Sequence, residues 1–258
     1  MAINQNEIPI LEFDDAKDAF INAPDLHKNI GKSRCCVVTY FYEAVQKKLA
    51  EGLLTQVAAM PSSISPDVPV YEMMMDGKPV NLCLGYLGSA GAAMTLEELI
   101  ALGMDKFIVC GGAGVLVPDI AVGHLVVPTA AVRDDGASYQ YAPPSRAINA
   151  NERAVHVIAD TLRSENIPFI DGKTWTTDAI YRETRDRIAL RVAEGCLTVE
   201  MEAAAYFAVS QFRGVTLGQI LYGGDDLSGD VWDSRSWSNR RDVRENLIDL
   251  SARCCLRL

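Results

Sequence analysis

Two glutamates stand where an apolar run in the sequence gives way to small residues. Glu200 and Glu202 flank Met201 in TVEMEAAAYFAV, where the pattern predicts the end of a strand and the start of a helix. Because a carboxylate accepts hydrogen bonds at both oxygens, one such group can hold the two neighbouring hydroxyls of a ribose-type diol. The alternative is that both glutamates only mark a helix N-terminus, where the helix dipole favours negative charge.

Two aspartates follow a second apolar run. Asp225 and Asp226 come after two glycines in LYGGDDL, so an acid stands where a predicted strand ends, a common position for catalytic groups. A carboxylic acid whose pKa is raised by burial can donate a proton to a leaving group. The alternative is an Asp-rich turn without a chemical role.

Glycine-rich segments and an aromatic, basic cluster add two further candidates. GYLGSAG and GGAGVL lack the GxGxxG pattern with an acid about 20 residues later, so a dinucleotide-binding fold is rejected. The stretch from Gly111 to Gly114 instead predicts backbone that passes close to a small ligand. The other cluster forms either a mobile lid or a solvated helix start, and it consists of Trp232, Arg235, Trp237, Arg240 and Arg241.

Strands and helices that alternate along the chain must position these residues. Asp76 and Gly77 predict a tight hairpin turn, and Thr95 is expected to cap the helix TLEELIALG. The alternation predicts an α/β fold, a single domain with a central mixed β-sheet flanked by helices, over residues 35–258 after an N-terminal extension of residues 1–34. Besides the hairpin, strands are expected at 35–42, 106–110, 124–132, 167–170, 196–199 and 215–221.

The composition excludes several classes of protein. With 258 residues the chain can bury a large core, and its 49% hydrophobic and 22% charged residues are typical of globular proteins. The net charge of -10 argues against a nucleic acid partner. No run approaches the ~20 apolar residues of a membrane span, and the start lacks a basic region followed by an apolar one. We therefore expect a cytoplasmic protein without membrane contact.

The seven cysteines stand in adjacent or isolated positions without a CxxC pair, and only three histidines are present. These residues do not predict a zinc site, so we expect no metal and no cofactor. The thiols are expected to be reduced and mostly buried.

Several segments together resemble the nucleoside phosphorylases, a family that includes purine nucleoside and uridine phosphorylases and methylthioadenosine-type nucleosidases. The most specific of them is VEMEAA, at residues 199–204. The other matching segments are DGKPV (76–80), TLEELIALG (95–103) and GGAGVLVPDIAVGHLVVPTAAVRDDGAS (111–138). The resemblance implies a nucleoside phosphorylase-like fold, a small-molecule nucleoside as substrate and a homo-oligomer, either a dimer or a hexamer.

The resemblance also implies roles for single residues. Glu202 holds the ribose hydroxyls and Met201 packs on the sugar, while Val199 and Glu200 lie near the base. Asp225 corresponds to the acid that protonates a purine ring.

Further roles around the base follow from the same resemblance. Arg240 falls near the arginine that assists the acid, and Ile180 and Tyr181 line the base pocket. The glutamine and arginine with which uridine phosphorylases read uracil have no match in residues 181–185. A purine-type base is therefore favoured, and pyrimidine specificity is the alternative.

The acceptor side departs from the phosphorylase pattern. The resemblance implies an acceptor loop at Gly111, Gly112 and Ala113, with Gly112 in place of a hydroxyl residue. The three positions of the family's phosphate-binding arginines are occupied by Ala44, Val109 and Pro66. Without cations a phosphate dianion lacks the strong, charge-assisted contacts.

Three hypotheses follow. The first is cleavage of the N-glycosidic bond of a nucleoside, with hydrolysis and phosphorolysis both open. Lys32, Arg34 or Arg133 is a substitute cation if phosphate is the co-substrate, and Glu43 is the candidate base if water attacks instead. The other two hypotheses are a uridine phosphorylase-like pyrimidine enzyme and a non-catalytic, storage-type nucleoside-binding relative.

Overall fold

Ten strands pair into one mixed sheet in the computed structural model, which describes residue 3, residues 5–62 and residues 66–258. They are β1 (Cys35–Thr39), β2 (Thr55–Met60), β3 (Val68–Met75), β4 (Lys78–Leu84), β5 (Lys106–Val115), β6 (Leu125–Asp134), β7 (Ala147–Asn149), β8 (Phe169–Thr177), β9 (Cys196–Glu200) and β10 (Thr216–Asp226).

Helices cover both faces of this sheet. They are α1 (Ala23–Leu26), α2 (Tyr42–Ala50), α3 (Ser89–Ala101), α4 (Ser138–Tyr141), α5 (Glu152–Ser164), α6 (Arg185–Ala193), α7 (Ala203–Arg213) and α8 (Arg241–Arg257). Short 3-10 helices occur at Pro9–Leu11, Ile180–Arg182 and Trp237–Asn239. The predicted α/β fold with a central mixed sheet and flanking helices is confirmed. Within the described residues, no helix is long and apolar enough to cross a membrane.

The strand order closes part of the sheet into a ring. β5 pairs with both β9 and β10, and β10, β6, β8 and β9 follow one another, so these five strands form a closed circuit. β1, β4, β3 and β2 extend from β5 as an open sheet.

One edge of β5 changes partners along its length. β1 pairs with it as far as Cys110, and β9 pairs with it only from Gly114 onward. Neither strand pairs with the three residues between, Gly111, Gly112 and Ala113. Their backbone groups on this edge are therefore available to a ligand, because each peptide carries a donor and an acceptor.

Two apolar layers hold the sheet between the helices. One layer contains Val37, Ile108 and Ile220 and packs against α5 and α8. The other contains Val38, Val109 and Leu217 and packs against α3 and α7, whose residues from Ala203 to Ser210 are all buried. The small alanines let α7 approach the sheet closely. All seven cysteines are free thiols in buried positions.

Local predictions were confirmed at the hairpin and wrong at three other places. Asp76 and Gly77 both have positive φ and join β3 to β4 with a two-residue turn, as predicted. The helix predicted to begin at Thr95 begins at Ser89, because small residues carry it back to Gly88. β1 ends at Thr39 instead of residue 42, since α2 already begins at Tyr42. The glycines after Cys110 continue β5 as a strand and do not form a loop.

Candidate active site

A cleft of about 940 Å³ opens where β1 and β9 leave the edge of β5 unpaired. Ten of the twelve residues predicted for the site line this cleft. They are Gly111, Gly112, Ala113, Ile180, Tyr181, Val199, Glu200, Met201, Glu202 and Asp225. The cleft thus joins residues from β5, β9 and β10, and its β5 and β10 residues are more than 100 positions apart in the chain.

Glu202 is buried in the wall of the cleft at the start of α7. Its side chain is only 6% exposed, and the Gly88 backbone N–H donates to its Oε1 at 2.7 Å. Burial raises the pKa of Glu202, and the negative charge of Glu200 raises it further. Since ionisation is costly here, ligand hydroxyls that donate to the carboxylate would stabilise its charged form.

Glu200 also lines the cleft, but the protein itself uses both of its oxygens. Thr176 Oγ1 donates to Oε1 at 2.6 Å, and the N–H groups of Glu202 and Ala203 donate to Oε2 at 2.8 and 2.6 Å. Burial raises the pKa of Glu200, while these hydrogen bonds act in the opposite direction. Glu200 therefore holds the first turn of α7, as the alternative from the sequence suggested for both glutamates.

A second group of acids lies at another part of the cleft. The Trp232 indole N–H donates to Asp225 Oδ2 at 2.7 Å. Glu183, which the sequence analysis did not single out, also lines the cleft. Burial and the negative charge of Asp225 raise the pKa of Glu183 to about 7. This part of the cleft therefore holds a carboxyl group that is still partly protonated near neutral pH.

Aromatic rings pack over one face of β5 at Gly112. A Cβ atom built on Gly112 would lie 3.3 Å from both the Trp237 and the Tyr222 rings. The Arg244 Nε donates to the Tyr222 hydroxyl at 3.0 Å, and its guanidinium carbon lies 5.1 Å from the Trp237 ring centroid and 5.6 Å from that of Phe41. Arg244 and Arg185 are the cationic side chains among the described residues that line the cleft.

Glu43 and Arg240, the two remaining predicted site residues, lie elsewhere. Glu43 is on the exposed side of α2 and forms an ion pair with Arg241 at 3.2 Å. Arg240 donates to the Val122 carbonyl oxygen at 3.1 Å and pairs with Asp242. Arg240 lies just before α8, outside the cleft. Arg244 lies four residues later, in the first turn of α8, and lines the cleft.

The other proposed substitute cations are also outside the cleft. Arg133 is buried and donates to Ser138, Ala142, Pro143 and Ser145. Arg34 forms an ion pair with Asp105, and Lys32 is exposed. The charge of Arg133 is therefore used within the fold.

In the aromatic and basic cluster after β10, some residues line the cleft and others lie outside it. Trp232 and Trp237 line the cleft, whereas Arg235 pairs with Asp226 and donates to the Ile120 carbonyl. Tyr40, Gln219 and Arg185 also line the cleft, although they were not among the predicted site residues. A polar residue in the apolar strand TLGQILY was the one available signal for Gln219.

Metal ligation has no matching arrangement of side chains in the part of the chain that the structure describes. No group of three or more histidine, cysteine, aspartate or glutamate side chains there could hold a metal ion.

Comparison with solved structures supports the fold. The solved uridine phosphorylase from Vibrio fischeri ES114 matches with a TM-score of 0.72 and 22% identity, covering 92% of this chain and 97% of that one. A solved futalosine hydrolase mutant from Helicobacter pylori strain 26695 matches with a TM-score of 0.68 and 17% identity, covering 87% of this chain and 99% of that one. At these identities the likeness shows a shared fold.

Two sequence relatives are named for different activities. Guanosine phosphorylase from Halorubrum lacusprofundi is 29% identical over 145 residues, which are 56% of this chain and 60% of that protein. Uridine phosphorylase from Escherichia coli is 30% identical over 160 residues, which are 57% of this chain and 63% of that protein. The chain thus spans less than two thirds of the length of both relatives.

A family model has the widest sequence match. The model of the phosphorylase superfamily matches residues 47–258, a range that includes nearly the whole cleft. Together with the fold, this match identifies the chain as a member of the phosphorylase superfamily.

Proposed function

We propose that this chain cleaves the N-glycosidic bond of a purine-type nucleoside with water as the acceptor. The observation that carries the proposal is that Glu202 and Asp225 line one cleft. A nucleoside needs contacts of two kinds, one to its sugar hydroxyls and one to its departing base. The two carboxyl groups supply both within a single cavity.

The reaction proceeds by loss of the base from C1′ of the ribose. The C1′–N bond breaks, its electron pair stays with the base, and the base takes a proton from the acid group formed by Glu183 and Asp225. A bond then forms between C1′ and the water oxygen, and the proton that water loses returns through solvent to the acid group. Glu202 accepts hydrogen bonds from the ribose hydroxyls and stabilises the positive charge that develops on the sugar.

The pair of acids Glu183 and Asp225 can supply the proton that the departing base takes. Glu183, with its pKa raised to about 7, keeps a proton next to Asp225 near neutral pH. A base leaves poorly as an anion, so a general acid contributes about 10²- to 10⁴-fold to the rate. A purine offers a ring nitrogen away from the glycosidic bond for this proton, which supports a purine-type base over uracil.

Water as the acceptor is supported by what surrounds Gly111 and Gly112. A Cβ atom built on Gly111 would lie nearest to Tyr40 and Leu221, and one built on Gly112 nearest to Trp237 and Tyr222, so none of these nearest side chains is cationic. Arg244 is the nearby cation, but it already bonds to Tyr222 and stacks on aromatic rings. Arg185, the other arginine that lines the cleft, already donates to the Asp230 carbonyl. A phosphate dianion would therefore have to compete for guanidinium groups that are already bonded, whereas water requires only neutral hydrogen-bonding partners.

The proposal is tested by incubating the purified protein with inosine, guanosine, adenosine and uridine, each with and without phosphate. We expect free purine base and free ribose without phosphate. Release that depends on phosphate and yields ribose 1-phosphate would instead establish phosphorolysis through Arg244. Uracil release alone would establish pyrimidine specificity, and nucleoside binding without any release would establish the storage-type alternative.

A further inference from the structure

Gln219 is a buried polar residue in the wall of the cleft. It lies on β10 with only 2% of its surface exposed, between Gly218 and Ile220 and opposite Val109 of β5. Its Oε1 atom is buried without a hydrogen-bond partner in the described part of the chain. Most buried polar side-chain atoms in proteins have a partner, so the unsatisfied amide oxygen of this cleft-lining residue is free to accept a hydrogen bond from a bound molecule.

The surroundings of Gln219 belong to the acceptor side of the cleft. Leu221 points to the same face of β10 because it is two residues away. A Cβ atom built on Gly111 would lie 3.8 Å from Leu221 and 3.6 Å from the Tyr40 ring. Gln219 therefore lines the cleft on the same side of the sheet as Leu221 and Tyr40, next to Gly111, where the unpaired stretch of β5 begins.

We infer that the Gln219 side-chain amide, together with Tyr40 and the unpaired backbone of Gly111–Ala113, holds the water that attacks C1′. This inference rests on the hydrolysis proposed above. A water needs two to four polar partners to be held in place. The Gln219 amide supplies one and the free backbone groups of β5 supply others, while the Tyr40 hydroxyl, 2.8 Å from that of Tyr206, completes a polar patch.

The chemistry of an amide suits water better than it suits phosphate. A carboxamide presents one acceptor and one donor group, and either can bond to water, whichever way the amide is turned. It carries no charge to balance a phosphate dianion. Gln219 takes no proton itself, so it orients the water while the proton leaves to solvent as the C1′–O bond forms.

Gln219→Met tests this inference because methionine has a similar size and lacks the polar amide. Gln211→Met is the matched control, since Gln211 is exposed on α7 and donates to the Asn149 carbonyl outside the cleft. We expect Gln219→Met to lower kcat for phosphate-free base release by about 10²-fold, the size of effect expected for a misplaced reactant. KM, nucleoside affinity by calorimetry and the unfolding temperature should remain those of the wild type, because the sugar and base contacts are intact.

Three results separate this inference from the proposed function. If the wild type releases base without phosphate and Gln219→Met keeps its full kcat, the inference is overturned and hydrolysis stands. If the wild type releases no base without phosphate, hydrolysis itself is overturned. Crystal structures of the wild type and of Gln219→Met test the water site directly. An ordered water bonded to the Gln219 amide in the wild type and lost in the variant supports the inference. A wild-type structure without such a water overturns it.

Discussion

Glu200 and Glu202 are two positions apart and have opposite relations to the cleft. The carboxylate of Glu200 receives three hydrogen bonds from the protein, so little of its capacity is left for a ligand. Glu202 receives the Gly88 N–H at one oxygen and lines the same cavity. The difference arises because a strand ends and a helix begins between them, which turns one acid toward the free N–H groups of α7.

Asp225→Asn tests the acid at the residue scale. Asparagine keeps the size of the side chain and can accept the Trp232 hydrogen bond, but it removes the negative charge beside Glu183 and cannot pass on a proton. We expect kcat for purine release to fall by about 10²- to 10⁴-fold, with a smaller change in nucleoside affinity. The neighbouring Asp226→Asn is the control, because Asp226 pairs with Arg235 outside the cleft lining. Equal losses in both variants would contradict a specific role for Asp225.

The pH profile tests the contribution of Glu183. Its pKa is raised to about 7, so its proton is present at lower pH and is lost as the pH rises through that value. We expect kcat/KM for base release to decline above about pH 7 in the wild type. In Glu183→Gln, which cannot titrate, this decline should shift or disappear. A profile that is identical in both proteins would exclude Glu183 from the proton supply.

At the scale of elements, the cleft exists because β5 exchanges one neighbour for another. β1 leaves β5 at Cys110 and β9 joins it at Gly114, so three residues of a central strand keep a free edge. The segment after β10 then places the Trp237 ring next to Gly112 and Gly224. The Arg235 side chain anchors that segment to the Ile120 carbonyl, and Arg240 anchors it to that of Val122.

Thr176→Val tests the connection between β8 and α7. Thr176 Oγ1 donates to Glu200 and accepts from the Ala204 N–H at 2.9 Å, so valine would leave a buried acceptor and a buried donor unsatisfied. We expect the free energy of unfolding to fall by about 1–3 kcal/mol in urea titrations. Thr55→Val, at an exposed position of β2, should change it little. A loss of equal size at both positions would argue against the role of this hydrogen-bond pair.

At the scale of the whole molecule, folding buries three carboxyl groups that line the cleft. Glu183, Glu200 and Glu202 all have their pKa raised above the ordinary value of 4.5, with burial as the largest cause. A folded state that holds such protons more tightly than the unfolded chain is most stable below that ordinary value. Stability is then lost as the pH rises through the folded-state values.

Thermal unfolding across this pH range tests the cost of burying the acids. Between about pH 5 and 7 we expect the unfolding temperature to decrease as the pH rises, because the folded protein must give up protons that the unfolded chain has already lost. The carboxyl groups with lowered pKa, Glu194, Asp226 and Asp242, act below this window. In Glu202→Gln the unfolding temperature should change less steeply with pH. Glu152→Gln is the control, because Glu152 is exposed. An unfolding temperature that increases between about pH 5 and 7 would contradict this explanation.

Local patterns predicted the fold and the acids of the cleft, whereas residues such as Met201 and Tyr181 were predicted only through the family resemblance. The alternation of strands and helices, the two-residue turn at Asp76 and Gly77, and the small residues after Glu202 all reflect short-range geometry that the sequence carries directly. Glu202 and Asp225 were predictable because each follows an apolar strand. Thr95 was misassigned as a cap because its spacing to Glu98 matches a capping pattern, although the helix already runs through it.

The sequence by itself determined the class of fold, the family resemblance and the acids at the strand ends, since these depend on neighbours within a few positions. Only the tertiary structure decided which side chains meet. It brought Glu183 beside Asp225, replaced Arg240 by Arg244 at the cleft, and left Gln219 buried without a partner. The physical reason is that these relations depend on the register between β5, β9 and β10 and on the direction in which α8 leaves the sheet, which no local pattern encodes.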